Sequence, residues 1–222
     1  MVKFIHEWDW LGAERELRRA IELKPDYAEA HHDYGNLLNS MGRIDEGLAE
    51  VKRAYELDPV SAEISNSLAS HYVCARRYDQ AIDEARKTLE LDPNFLEAHV
   101  QIWRAYLGKG MYEEAIAVVE NIRASSDTEW VKSPAQLALP YALAGRGKEA
   151  RKILAMSRES APLWSAQAYA ALGETDEAFA LLDKAYEQYS SGLLWIQPDP
   201  AWDSLRSDPR FQALLRRMNF PP

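Results

Sequence analysis

The chain has 222 residues, 47% apolar and 27% charged, with 35 acids against 26 bases and a net charge of −9. That is an ordinary globular composition, long enough to bury a core. Its charge is wrong for neutralising nucleic-acid phosphates and equally wrong for an anionic membrane surface. No stretch approaches the ~18 apolar residues of a membrane span, and Met1–Glu7 has no signal-peptide core or cleavage site. One cysteine, Cys74, cannot form an internal disulfide. The expectation is a soluble, reduced, cytoplasmic protein. Thirty-two alanines against 10 glycines and 11 prolines lean the fold toward helix.

The chain is built of near-copies. Leu23-Lys24-Pro25-Asp26, Leu57-Asp58-Pro59-Val60 and Leu91-Asp92-Pro93-Asn94 set prolines at 25, 59 and 93, two steps of 34. A second ruler runs through Ala13, Gly47, Ala81, Ala115, Ala150 and Ala178, with steps of 34, 34, 34, 35 and 28. The register therefore holds for four units, slips by one residue and shortens.

In chain order, residues 1–24 supply the turn and second helix of an incomplete unit, beginning Trp8-Asp9-Trp10-Leu11-Gly12-Ala13. A repeat lacking half its helix pair leaves an apolar face open. Three readings follow: a piece of a longer protein, a self-associating edge at Trp8 and Trp10 that would make a homodimer, or an irregular cap. Residues 25–126 form three regular units. In residues 62–92, Leu68, Ala69 and Tyr72 share one face and Tyr78, Ala81, Ala85 and Leu89 another, the i, i+3, i+4 spacing of two helices. The following Asp-Pro stops the second helix, because the residue before proline is driven out of the α region.

Residues 127–187 read as two divergent units, with Pro140 expected to kink or shift a helix start and Ser125–Glu129 as the hinge candidate. Residues 188–222 read as a cap over the last repeat. Their closing helix spans about Pro209–Met218, with Ser207 or Asp208 at its N-cap and Phe211, Leu214, Leu215 and Met218 on one face.

These residues resemble the tetratricopeptide repeat (TPR). Gly35, Gly42, Ala54 and Pro59 match its signature in one unit. Ala69, Tyr72, Tyr78, Ala81 and Pro93 match in the next, and Tyr106, Gly110, Tyr112 and Ala115 in the third. Gly47, Arg76 and Thr88 depart from the usual Ala, Gly and Ala. The resemblance implies an all-α, right-handed α-α superhelix (solenoid) of helix pairs, closed by a C-terminal capping helix. It extends to the C-terminal repeat regions of bacterial multidomain regulators, on the strength of the closing Asp-Pro…Leu-Arg-Ser-Asp-Pro-Arg-Phe segment.

In such arrays the first helices line a concave groove. The corresponding positions here include Glu29, His32, Asn36 and Asn39, then Glu63, Asn66 and Ser70, then Glu97 and Arg104. Asn offers both donor and acceptor to a peptide backbone, and the acids Glu29, Glu63 and Glu97 favour a partner with basic residues. The two-carboxylate clamp for chaperone C-termini needs Lys, Asn, Asn, Lys and Arg, whereas the chain has His32, Asn36, Ser67, Glu97 and Gln101. That ligand does not fit. No phosphate loop, nucleophile elbow or paired-Cys motif occurs. His6, His31, His32, His71 and His99 lack convergent partners for a metal. Arg76 and Arg77 near Cys74 would lower its pKa if they reached it, but without a His in register Cys74 reads as a small, partly buried residue. The reading is a non-enzymatic protein-interaction module that needs no cofactor and binds a peptide segment or partner domain in the groove. An oligomerisation spacer joined through the Trp8/Trp10 edge is the alternative.

Overall fold

The computed structural model describes residues 8–125, 134–157 and 161–221. Among these the chain is all-α, with twelve α-helices, two 3-10 helices and no strand. The α-helices are α1 (Trp10–Leu23), α2 (Ala28–Ser40), α3 (Ile44–Leu57), α4 (Ala62–Cys74), α5 (Tyr78–Leu91), α6 (Leu96–Gly108), α7 (Tyr112–Ser125), α8 (Ala135–Leu143), α9 (Gly147–Ser157), α10 (Pro162–Ala171), α11 (Thr175–Glu187) and α12 (Pro209–Arg217). The 3-10 helices, Ser191–Trp195 and Pro200–Leu205, lie between α11 and α12.

The repeat is written into the backbone. Before each of the three spaced prolines, Lys24, Asp58 and Asp92 adopt φ of −144°, −140° and −138°, outside the helix, and the preceding helix ends there. Between the helices of successive pairs the chain turns through a left-handed residue: Gly42, Arg76, Gly110, Gly145 and Gly173, with φ from +59° to +81°. Arg76 takes this conformation despite its Cβ, at a steric cost that glycine avoids.

Two compact units result. The first holds the described residues up to Ala105, together with Leu194–Pro200 and the tail from Leu215. Its helices meet through small side chains, with Ala54, Ala69, Ala81 and Ala85 fully buried. The unusual Gly47 has a reason. A Cβ there would lie 2.7 Å from Gly35 O, and one on Gly35 would lie 2.8 Å from Gly47 O. Helices α2 and α3 thus pack backbone against backbone, with Leu38, Leu48 and Val51 buried around the contact. Thr88, where the repeat usually has Ala, sets its hydroxyl 2.9 Å from Ser65 Oγ, and Ser65 in turn donates to Glu84 Oε1 at 3.2 Å. The extra hydroxyl is therefore satisfied across the α4–α5 contact.

The second unit comprises Tyr106–Leu193 and Ala201–Leu214. Pro140 lies within α8, which runs through it and ends where Ala144 N donates to Pro140 O. The hinge candidate lies outside the described residues except for Ser125, which closes α7.

The closing segment differs from the single cap expected over the last repeat. Its middle does cap α11: Arg210 pairs with Asp176 at 2.7 Å and lies 4.2 Å from the Phe179 ring centroid. Asp208 caps α12 by accepting from Arg210 N at 2.8 Å. Its flanks belong instead to the first unit. Trp10 Nε1 donates to Met218 O at 2.7 Å, and the Trp10 ring stacks on Phe220 with centroids 4.3 Å apart. An aromatic face with an indole donor needs an apolar, carbonyl-bearing cover, and the tail from Leu215 supplies it.

Candidate partner-binding face

The face expected to bind is made by α2, α4 and α6, the first helices of the three regular pairs. Glu29, Glu63 and Glu97 each stand in the first turn of these helices and are exposed. Their position also favours them energetically, because a helix N-terminus attracts negative charge. Half-buried Asp33 joins this acidic side. Burial, with Glu29 and Glu63 adding to it, pushes the Asp33 carboxyl above its ordinary pKa despite the opposing effect of His32.

The middle of the face is engaged within the protein. His32 is buried, and Asn36 Nδ2 donates to its Nε2 at 3.0 Å. Asn36 Oδ1 accepts from Ser67 Oγ at 2.8 Å. Asn36 therefore ties α2 to α4 and does not present a free amide. Asn39 is completely buried, correcting its expected place on an accessible surface; its backbone lies against Gly47. Asn66 is half-buried.

Ser70 and Arg104 do come together, and with them residues not anticipated from the sequence. Arg104 Nη1 donates to Ser70 Oγ at 3.3 Å and to Gln101 Oε1 at 3.0 Å. Its Nη2 lies 3.1 Å from Asp199 Oδ2, and the two side chains are only 12% and 13% exposed. Burial works against the Arg104 charge, but the neighbouring Asp199 carboxylate outweighs it and raises the guanidinium pKa. Asp199 belongs to the segment Leu194–Pro200, which joins the two 3-10 helices and packs with the first unit. Trp195 meets the ring of His71 edge-on, with centroids 6.4 Å apart. Gln197 lies over the Gly42 turn, its Nε2 only 2.8 Å from where a Cβ would stand. Trp-Ile-Gln-Pro-Asp-Pro is conspicuous in the sequence, but no local pattern says that it returns to helices about a hundred residues earlier.

The remaining candidates have structural roles. His71 is fully buried, its Nδ1 2.8 Å from Ser67 O and its Nε2 3.1 Å from Gly35 O. Burial lowers its pKa, the two carbonyls opposing. His31 bridges Glu50 Oε2 at 2.7 Å and Pro25 O at 3.0 Å. Burial raises the Cys74 thiol pKa, with Arg104 opposing. The residues expected to lower it, Arg76 and Arg77, are exposed; the thiol is therefore a poor nucleophile. Trp8 and Trp10 are both buried, their centroids 6.0 Å apart, and Trp10 lies against the chain's own tail. Among the described residues, no group of three His, Cys, Asp or Glu could hold a metal, and no helix is long and apolar enough to cross a membrane.

Comparison with known proteins agrees with this geometry. Tetratricopeptide repeat family models match residues 9–62, 35–94 and 75–130. No curated protein matches the chain. Among solved structures, a tetratricopeptide repeat protein from Parabacteroides merdae is 16% identical at a TM-score of 0.58, over 98% of this chain and 89% of its own. TTC0263, a TPR protein of Thermus thermophilus, is 24% identical at 0.57, over 78% and 98%. MamA is 19% identical at 0.54, over 83% and 95%. At such identities the likeness is one of fold. With helix pairs, left-handed turns and pre-proline stops all keeping one register over the matched residues, the chain belongs to the tetratricopeptide repeat family.

Proposed function

We propose that the chain is a non-enzymatic protein-interaction module whose first unit takes a peptide segment or partner domain across α2, α4 and α6. One observation carries the reading: that face already accommodates a short connecting stretch of polypeptide, Leu194–Pro200, through a buried ion pair at Arg104. The acids Glu29, Glu63 and Glu97 remain exposed beside it and would steer a partner with basic residues toward the face. Self-association through Trp8 and Trp10 is the weaker reading, since both rings are already covered within the unit.

The test is binding of the full chain to an array of soluble peptides that vary in charge, with and without Glu29→Gln, Glu63→Gln and Glu97→Gln combined. Binding of basic peptides that falls at least tenfold in the triple variant supports the reading. Equal binding by both proteins, or none by either, overturns it.

A further inference from the structure

We infer that Leu194–Pro200 is a resident stand-in for the partner, and that the partner segment carries a carboxylate for Arg104 with an aromatic residue four positions before it. This deepens the proposed function and rests on it. The segment makes two directional contacts with the face. Asp199 neutralises Arg104, a cation otherwise held only by Ser70, Gln101 and the Cys74 sulfur, none of which carries a full negative charge. Trp195 meets His71 of α4 edge-on, and four residues later Asp199 meets Arg104 of α6, so one short stretch engages both helices. A buried guanidinium needs a carboxylate in any occupant that covers it.

The fit of the resident is incomplete. Asn66 Oδ1 and, in the segment, Gln197 Oε1 are shut away from solvent without a hydrogen-bond partner. Buried amides left this way cost free energy. Asn66 belongs to the repeat face itself, so a segment that bonds it while keeping the carboxylate and the aromatic displaces the resident. The resident thereby sets a threshold: only a segment with better-placed hydrogen bonds enters.

The experiment uses the full chain and a labelled, end-blocked peptide of residues 193–201, alongside the same peptide with Asn in place of its Asp. The parent should bind the Asp peptide weakly, its face being occupied. Asp199→Ala, which removes the resident's ion pair, should bind it at least tenfold more tightly and prefer it at least tenfold over the Asn peptide. Adding Arg104→Ala should abolish the preference. Trp195→Ala loosens the resident without stripping Arg104 of its counter-charge, and should show the same gain if Asp199→Ala does not fold. Folded variants that bind no more tightly than the parent, or that only dimerise by exchanging the segment, overturn the inference. If the charge-varied peptides above still bind, the interaction reading stands and the stand-in alone fails; if neither set binds, both fail.

Discussion

Arg104 on α6 and Asp199 on the returning segment stand 3.1 Å apart, nearly hidden from water. A pair of this kind is worth less than its attraction suggests, because both charges are desolvated, but losing one partner leaves the other exposed to the full penalty. Arg104→Met alone should therefore lower the first unit's stability by about 3 kcal/mol, whereas Arg104→Met combined with Asp199→Leu should cost markedly less. Urea unfolding of the two variants decides this; equal losses would show that the pair is not coupled.

The close approach of Gly35 and Gly47 makes a sharper demand. A methyl group on Gly47 meets Gly35 O at 2.7 Å and Asn39 N at 2.9 Å, atoms of main chain that cannot rotate aside. Gly47→Ala restores the residue usual in the family, gains helix propensity and nevertheless should destabilise by about 2 kcal/mol, as overpacking does. A thermal midpoint at or above that of the parent would refute the backbone contact.

Arg76 is the converse case. It holds φ +59° where the equivalent turns carry glycine. Arg76→Gly should stabilise by roughly 1 kcal/mol, the left-handed penalty removed less the added freedom of the unfolded chain. Circular dichroism melts of the variant and parent test the sign.

The repeats were legible in the sequence because their causes are local. The prolines at 25, 59 and 93 act on the residue before them, and the turn glycines act on their own φ. Helix boundaries, the cap at Asp208 and the fold class followed from such signals. The candidate face was only partly legible. Ser70 and Arg104, which register sets on successive helices of that face, meet in the fold, and the three rim acids are exposed. Asn39 was misjudged because burial depends on what lies across from a residue, and Asn36 because its partners Ser67 and His32 are fixed only once α2 and α4 meet. Asp199 and the cover over Trp10 could not be found this way, since both contacts join residues far apart in sequence and carry no periodicity.

Acidity should weaken the first unit before its carboxylates titrate. Burial keeps His71 below its ordinary pKa of 6.5, with His32 and Arg104 adding to the effect. The unfolded chain takes up a proton near pH 6.5 that the folded chain resists, so this contribution is complete above that pH and declines as pH falls toward the folded value. Between pH 7.5 and 5.5 the loss should approach about 1.4 kcal/mol for a histidine that stays neutral throughout. His99, lowered by burial alone, acts in the same direction. Urea midpoints at pH 7.5 and 5.5 should differ in the parent and differ less in His71→Gln; an unchanged difference would mean that His71 does not carry the effect.

The hydrogen bond from Trp10 to Met218 joins residues 208 positions apart. Arrays of this kind ordinarily add one repeat at a time, each new pair of helices settling on the one before. Here α1 cannot acquire the tail over Trp10 until nearly all of the described chain has left the ribosome. At 5–20 residues per second, α1 waits on the order of ten seconds or more without the tail over Trp10. During synthesis Trp10 thus waits without its stacking partner Phe220, vulnerable to premature association. Completion of the first unit is a late event, paced by translation rather than by the fast local contacts that build the repeats.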